Sequence, residues 1–194
     1  MVGYAATCKI RSAHPPIVGS RYVERTDWWK HITSVPSPRV VVMQDTDQEP
    51  GTGAFLGMVH VNILKALGCV GAVTNGAARE LRGIEGSGFQ VFAGRLAISR
   101  AYVHVVEFGG QVEVGGLRID PGDLIHGDRH GIINVPQDLA TQLPGVAAKI
   151  MAKKQQVIEL SKKPEATFEE LGQALRELLD FHMDHLSDGV NQWK

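Results

Sequence analysis

One stretch in the middle of the chain decides the fold: residues 71–83, with the sequence GAVTNGAARELRG. Its β-branched start predicts a buried strand, and the glycine turn that follows places an arginine and a carboxylate side by side, Arg79 and Glu80. A guanidinium binds carboxylates through two parallel hydrogen bonds, and a carboxylate oxygen suits Mg²⁺. The pair therefore indicates a metal-assisted site for a small carboxylic acid. The alternative is an Arg–Glu pair that caps a surface helix.

The residues before this stretch predict a strand, a helix and a second strand. Residues 39–43 form an apolar run typical of a buried strand, residues 54–67 read as a helix, and Gly68 suits the position after a helix end. This order implies that the strands at 39–43 and 70–74 pair in parallel. Residues 2–10 alternate like another strand with nothing ahead of it, so we expect an N-terminal portion to be missing.

The second half of the chain changes pattern twice. Short alternating runs separated by glycine or Pro-Gly predict hairpins, at residues 90–93, 102–108, 111–114, 117–119, 123–126 and 132–135. The last third has helical spacing, with one predicted helix over 145–163 and a capping box at Thr167 and Glu170 that opens a second. We therefore expect one domain over residues 1–144 and a helical extension over residues 145–194.

Composition and charge narrow the class of function. The chain has 194 residues, of which 43% are hydrophobic, enough for one good-sized core. Twenty basic residues against twenty-one acidic ones leave a formal charge of -1, so no global field attracts nucleic acid. Two cysteines, Cys8 and Cys69, are too few for a disulfide framework, which fits a cytoplasmic location. No apolar run approaches the roughly 20 residues of a membrane span, so we expect no membrane partner.

Other polar groups offer further candidate sites. The loop Gly51–Gly57 leads into the predicted helix, where backbone N–H groups favour an anion, but its glycines do not have the spacing of a dinucleotide fingerprint. His126, Asp128 and His130 alternate near a strand end, so they either line a pocket or form an exposed polar turn. His60 has no histidine or carboxylate at helical spacing, which argues against a zinc site.

Several of these runs, taken in order, resemble those of a known family. The matching runs are GMVHVNILKALG at 57–68, VGAVTNGAARE at 70–80, GFQVFA at 88–93 and VGGLRIDPGDLIHGDRHGIINVP at 114–136. Together they resemble the RraA-like family, which includes 4-hydroxy-4-methyl-2-oxoglutarate aldolases and regulators of RNase E activity. The resemblance implies an α/β fold with β/β/α layers, like the swivelling phosphohistidine domains, followed by C-terminal helices.

The resemblance also implies a mechanism and the residues that perform it. Family aldolases cleave or decarboxylate 2-oxo acids around a divalent cation, Mg²⁺ or Mn²⁺, that stabilises the pyruvate enolate. Their motif is an acidic residue, twenty intervening residues and then Arg-Asp, and it falls on Met58, Arg79 and Glu80. Arg79 is then the catalytic, substrate-binding residue and Glu80 the metal ligand. The backbone N–H groups of Gly57, Met58 and Val59 hold the substrate carboxylate.

Two positions depart from the family motif. Met58 stands where the family has a carboxylate, and a thioether can neither activate water nor relay a proton. Glu80 replaces the usual Asp, so the side chain that carries the carboxylate is longer by one methylene. Mg²⁺ demands near-ideal ligand geometry, so this change affects how the metal is held. The resemblance further implies a homotrimer or a dimer of trimers, in which a neighbouring subunit offers an acid that falls near Gln155 or Glu159.

These observations leave two hypotheses for the function. The first is a metal-dependent lyase acting on a small 2-oxo acid, and the second is a non-catalytic RraA-like binding or regulatory protein. In either case we expect Arg79 and Glu80 to face one cleft, with the turn at residues 54–58 on its far wall. His126 and Asp128 are candidates only for lining that pocket.

Overall fold

The computed structural model describes residues 1–17 and 25–190, in two compact units, the first Met1–Gln137 and the second from Asp138 onward. The elements in chain order are β1 (Val2–Arg11), α1 (Arg25–Ser34), β2 (Arg39–Asp45), β3 (Ala54–Leu56), α2 (Met58–Ala66), β4 (Cys69–Ala78), α3 (Leu81–Gly86), β5 (Gln90–Leu96), β6 (His104–Phe108), β7 (Val112–Val114), β8 (Leu117–Ile119), β9 (Leu124–Asp128), β10 (Gly131–Val135), α4 (Leu143–Ser161) and α5 (Phe168–Val190).

The first unit is built on one mixed sheet. Its strand order is β10-β9-β1-β2-β4-β3, with β5 also paired to β4 and β6 to β1. The pairs β1–β2, β2–β4, β3–β4 and β4–β5 are parallel, as the sequence predicts for β2 and β4. Since these strands run the same way, their carboxyl ends share one edge of the sheet, termed the carboxyl edge below. It comprises the strand ends at Arg11, Asp45, Leu56, Ala78 and Leu96.

Helices cover one face of this sheet and a β-hairpin covers the other. On the first face, strand residues such as Ala6 and Met43 pack against α1, α2 and α3, which contribute Trp28, Ile32, Val61, Leu64 and Ile84. On the second face, Ala5, Val40, Val42 and Val73 pack against the β7–β8 pair through Val112, Val114 and Ile119. The mixed α/β fold expected from the sequence is confirmed.

Three local predictions are wrong. Residues 54–67 form β3 followed by α2 rather than one helix, because residues 54–56 pair with β4 and Gly57 keeps an extended backbone at φ -144°. Strand β5, expected in a hairpin, pairs in parallel with β4 through α3. Strand β1 is buried on both faces, not one, because Ala6, Cys8 and Ile10 pack under the helices and Ala5 packs against the β7–β8 pair.

The second unit contains α4 and α5. The predicted capping box is present: the Glu170 N–H donates to Thr167 Oγ1 at 3.2 Å, and the Thr167 N–H donates to Glu170 Oε2 at 2.9 Å. Hydrogen bonds from the backbone and hydroxyl of Thr167 lower the pKa of Glu170. Lys153 Nζ lies 5.0 Å from the centroid of the Phe181 ring, which joins the two helices. Among the described residues, no helix combines the length and the apolar character that crossing a membrane requires.

Candidate functional site

Arg79 and Glu80 follow β4 at the carboxyl edge and meet the start of α2 there. The guanidinium of Arg79 pairs through Nη1 with Oε1 of Glu80. The other oxygen, Oε2, accepts a hydrogen bond of 2.6 Å from the Met58 N–H, and the Arg79 N–H donates to the Leu56 carbonyl at 2.9 Å. The arginine, the carboxylate and the N-terminus of α2 therefore lie at one corner.

Gly57 permits this close approach. A Cβ at this position would lie 3.1 Å from both Arg79 Cζ and Glu80 Oε2, so a side chain here would require the ion pair to shift by a few tenths of an ångström. The turn at residues 54–58 therefore contacts the pair directly. The expectation that this turn forms the far wall of a cleft is wrong, because the Glu80 carboxylate folds back onto the first turn of α2.

The backbone of Glu80 is strained. Its φ of 61° and ψ of 38° lie in the left-handed region, where Glu80 and Ala101 are the two non-glycine residues with positive φ in the described part of the chain. A residue with a Cβ pays roughly 1–2 kcal/mol for this conformation. Strain of this kind is concentrated at ligand-binding and catalytic sites. Its occurrence at Glu80 supports a role for the corner beyond packing.

Met58 contributes its backbone to the corner but not a polar side chain. The side chain is half-buried and packs against the core between the sheet and the helices. A Cβ on Gly83 would come within 2.6 Å of the Met58 sulfur, which shows how closely the thioether lies against α3. Met58 thus fills space between α2 and α3, and no acid or base occupies the family's carboxylate position.

The donor set fits a weakly held, hydrated cation and an anionic ligand. No cluster of three or more His, Cys, Asp or Glu side chains within residues 1–17 and 25–190 is arranged to hold a metal ion. Mg²⁺ commonly binds through one or two carboxylates and keeps several waters, and Glu80 is the carboxylate that the corner offers, with Oε1 paired to Arg79 and Oε2 to the Met58 N–H. Arg79 Nε is buried and donates to no acceptor among the described residues. An unpaired guanidinium donor beside a carboxylate suits an oxygen-rich anion.

A buried polar cluster at the end of β2 is not predicted from the sequence. Asp45, at the end of β2, is 2% exposed, and its Oδ2 accepts hydrogen bonds from the Gly51 N–H at 2.9 Å and from Ser12 Oγ at 3.1 Å. The Asn75 side chain accepts from the Asp45 N–H at 2.7 Å and donates to its carbonyl at 3.0 Å. These bonds fix the loop that leads into β3. The composition marks residues 45–53 as a loop, but no periodicity reveals that Asp45 is buried.

Asp47 ties the same loop to the end of β1. The N–H groups of Ser12 and Ala13 donate to its Oδ2 at 2.6 and 2.8 Å. Burial raises the pKa of Asp47, but these hydrogen bonds and the charge of Arg11 outweigh burial, so the pKa lies below its ordinary value. The carboxylate therefore stays ionised and holds the loop in place near neutral pH.

His126, Asp128 and His130 lie on the β9–β10 hairpin, far from the corner. Strand β9 pairs with the start of β1, with Val2 opposite His126, so the hairpin lies at the sheet edge opposite the carboxyl edge. The His130 N–H donates to Asp128 Oδ1 at 2.8 Å, and this bond lowers the pKa of Asp128. The structure does not bring these residues to Arg79 and Glu80. They form an exposed polar turn, one of the two interpretations that the sequence left open.

The two cysteines are poor nucleophiles. Cys8 and Cys69 are both free and buried. Burial raises the pKa of Cys8 well above its ordinary value and raises that of Cys69 to about 12, against the opposing charge of Arg39. Since the thiolate is the reactive form, thiol catalysis has no candidate in these two residues.

Sequence comparisons match this chain to a described family. The family profile described as RraA-like, Aldolase/RraA, matches residues 1–134. A Halalkalibacterium halodurans protein named as a candidate 4-hydroxy-4-methyl-2-oxoglutarate aldolase is 30% identical over 102 residues, which are 52% of this chain and 48% of that protein. Legionella pneumophila DlpA is 26% identical over 110 residues, 56% of this chain and 18% of DlpA. The chain thus spans about half the length of the first relative and less of the second.

Solved structures show the same fold. An uncharacterised protein from Pseudomonas syringae pv. tomato superposes with a TM-score of 0.67 at 24% identity, covering 91% of this chain and 76% of that one. Streptomyces coelicolor RraAS2, described as an unusual member of the RNase ES inhibitor RraA protein family, gives a TM-score of 0.60 at 23% identity, covering 80% and 74%. At these identities the likeness concerns the fold alone.

Proposed function

Because the chain belongs to the RraA-like family, we propose that it is a divalent-metal-dependent lyase that cleaves or decarboxylates a pyruvate-yielding 2-oxo acid. The observation that supports this most directly is the meeting of Arg79, Glu80 and the N-terminus of α2 at the carboxyl edge. In open α/β sheets, ligands bind outside the carboxyl ends of the strands. The proposed cofactor is Mg²⁺ or Mn²⁺, held by Glu80.

Each group at the corner has a distinct proposed role. The Arg79 guanidinium, on a side chain that is 27% exposed, binds the substrate carboxylate or keto oxygen. A bound divalent cation supplies Lewis acidity at the keto oxygen. The N–H groups of Gly57, Met58 and Val59 hold a carboxylate at the positive end of the α2 dipole. The Met58 N–H donates to Glu80 in this structure, so Glu80 and a substrate carboxylate compete for that donor.

Pyruvate release from oxaloacetate, measured with and without Mg²⁺, tests the proposal. We expect metal-dependent release that falls about 10²-fold in Arg79→Ala, the typical loss when one stabilising donor is removed. Glu80→Gln is expected to abolish the stimulation by metal. Arg129→Ala, at an exposed arginine on the β9–β10 turn, is the matched control and leaves the rate unchanged. Folded protein that releases no pyruvate above background with Mg²⁺, either from oxaloacetate or from a 4-hydroxy-2-oxo monocarboxylate, contradicts the lyase.

A non-catalytic RraA-like binding or regulatory protein is the second candidate. The observation that favours it is Met58, whose apolar side chain packs towards α3 where a family enzyme offers an acid. This candidate predicts that a 2-oxo acid raises Tm without being turned over. Arg79→Ala would then remove the shift in Tm, because the ligand still needs its anion-binding donor.

The proposed assembly is a homotrimer or a dimer of trimers with sites shared between subunits. The acid that a neighbour would contribute falls near Gln155 or Glu159, which lie on α4, where Glu159 Oε1 accepts hydrogen bonds from Gln155 at 2.6 Å and from Lys162 at 2.8 Å. Light scattering at micromolar concentration tests this proposal. A monomer would contradict a shared site, and closed cyclic symmetry is the usual solution when a site needs a second subunit.

A further inference from the structure

An open pocket of about 430 Å³ is lined by the Arg79–Glu80 pair and by apolar residues. The apolar part of the lining, termed the apolar wall, is defined here as Leu81, Leu96, Ala97 and Ile98. The side chain of Leu96 is 67% exposed and that of Ile98 fully exposed. Large aliphatic side chains on a pocket wall lose water when a ligand covers them, which favours apolar groups on the ligand.

The apolar wall has a well-bonded backbone. The Ala97 N–H donates to the Ala78 carbonyl at 3.1 Å, which anchors the wall to β4. The Ala54 N–H donates to the Ser99 carbonyl at 3.0 Å, and the Tyr102 N–H donates to the Ser12 carbonyl at 3.2 Å. The backbone of the wall and of the residues that follow it is thus held against β3, β4 and the end of β1.

The charges of the pocket match one carboxylate, not two. Arg79 is the one cationic side chain among the seven residues that line the pocket in the described part of the chain. Arg79 and the N–H groups at the start of α2 together bind the 2-oxo acid end of the ligand, and the apolar wall offers no further cation. A second carboxylate at the far end of the ligand would lie against Leu96 and Ile98 with no donor to replace its water, which carries a desolvation cost.

We propose that the site prefers 2-oxo monocarboxylates that bear an aliphatic group at the far end over 2-oxo dicarboxylates. This inference rests on the proposed function, because it takes the 2-oxo acid end of the ligand from there. The apolar wall then determines specificity. Ile98 is the best residue to substitute, because it is fully exposed and a change there affects ligand binding without affecting folding.

Two probes test the preference, 5-methyl-2-oxohexanoate and 2-oxoglutarate. They share the 2-oxo acid end and the chain that follows it, and an isopropyl group replaces the distal carboxylate. Isothermal titration in the presence of Mg²⁺ gives both Kd values without any turnover. We expect the isopropyl probe to bind about tenfold more tightly, as is typical when a site discriminates between an apolar group and an unpaired polar one.

A charge on the wall is expected to reverse the order. Ile98→Lys supplies a cation for the distal carboxylate and removes apolar surface, so 2-oxoglutarate then binds more tightly than the isopropyl probe. Ile133→Lys is the matched control, since Ile133 is an exposed isoleucine on β10 outside the pocket, and it leaves both affinities unchanged.

The other outcomes overturn either the proposed preference or the proposed function. Equal affinities that Arg79→Ala abolishes would overturn the preference and leave the proposed function standing. If neither probe binds the folded native protein, the proposed function fails and the preference fails with it. If Ile98→Lys weakens both probes equally and changes the oligomeric state, the wall is an interface between copies of this chain and the preference is wrong.

Discussion

The carboxyl edge and the β9–β10 hairpin carry the same kinds of side chain but hold them differently. At the carboxyl edge, Asp45 accepts hydrogen bonds from backbone and hydroxyl donors in the interior, and Glu80 accepts one from the first turn of α2. On the hairpin, Asp128 and His130 bond to each other, and their side chains are 53% and 84% exposed. On the hairpin the donor lies two residues from the carboxylate, whereas Ser12 and Met58 reach Asp45 and Glu80 from distant segments of the chain. Donors from distant segments, rather than the residue types themselves, therefore distinguish the candidate site from a polar turn.

The largest expected effect comes from removing the buried carboxylate. Asp45→Ala leaves the Gly51 N–H and the Ser12 hydroxyl without this acceptor in the interior, so we expect the free energy of unfolding to fall by about 3 kcal/mol. Urea denaturation measures the change. Asp45→Asn keeps one acceptor oxygen and is expected to lose less.

Asp128→Ala is the matched substitution on the hairpin, and we expect no measurable change in stability because its partners are exposed to water. Equal losses in Asp45→Ala and Asp128→Ala would contradict the distinction between the two regions.

The next effect concerns chemistry at the corner. Met58→Glu alone places a second carboxylate beside that of Glu80, and the two like charges repel each other. Adding Glu80→Asp shortens the side chain whose carboxylate accepts the hydrogen bond from the N–H of residue 58. We therefore expect the double variant to exceed both single variants and to raise kcat/KM for oxaloacetate with Mg²⁺ by about tenfold, part of what one acid or base group supplies.

The hairpin again provides the control, because Asp128→Glu changes a carboxylate by the same methylene and is expected to leave the rate unaltered. A native enzyme that already turns over as fast as the double variant would show that Met58 is no handicap. A folded, metal-loaded double variant without any gain would favour the binding-protein hypothesis.

The sequence alone predicts the residues of the corner but not those around it. Arg79 and Glu80 are adjacent and follow a buried strand, so local pattern and the family motif suffice to find them. The burial of Asp45 depends on Ser12 and on Gly51, and the position of Ile98 depends on β5 running parallel to β4. Those facts arise from register between distant segments, which periodicity along one segment does not encode.

Backbone strain differs between the two regions and gives a smaller effect. The two non-glycine residues with positive φ, among those described, are Glu80 and Ala101, which follow strand ends at the carboxyl edge, whereas the hairpin uses Gly131 for this conformation. Ala101→Gly removes the clash of a Cβ at φ 44° but loosens the unfolded chain, so we expect a net gain of about 0.5 kcal/mol in the free energy of unfolding. Gly131→Ala is expected to change stability in the opposite direction. A loss in Ala101→Gly would show that this segment stores no strain.

The smallest expected effect is the acid sensitivity of Asp47 compared with that of Asp128. The pKa of Asp47 is lowered, because hydrogen bonds from Ser12 and Ala13 lower it by more than burial raises it. A hydrogen bond from His130 lowers the pKa of Asp128. A carboxyl group with a lower pKa in the folded state binds fewer protons there than in the unfolded chain. Its stabilisation is therefore complete above the unfolded pKa of about 4 and is lost as the pH falls through the folded pKa.

The pKa of both carboxyl groups is lowered, but the surroundings of the two make the resulting stabilisation unequal. The Asp47 side chain is 7% exposed and bonded to two backbone N–H groups, whereas solvent screens Asp128. We expect Asp47→Asn to flatten the fall in stability below about pH 4, and Asp128→Asn to leave it nearly unchanged. Urea midpoints measured over this range compare the variants with the native chain. A larger flattening in Asp128→Asn would mean that the hairpin, and not the carboxyl edge, holds its carboxylate more firmly in the folded state.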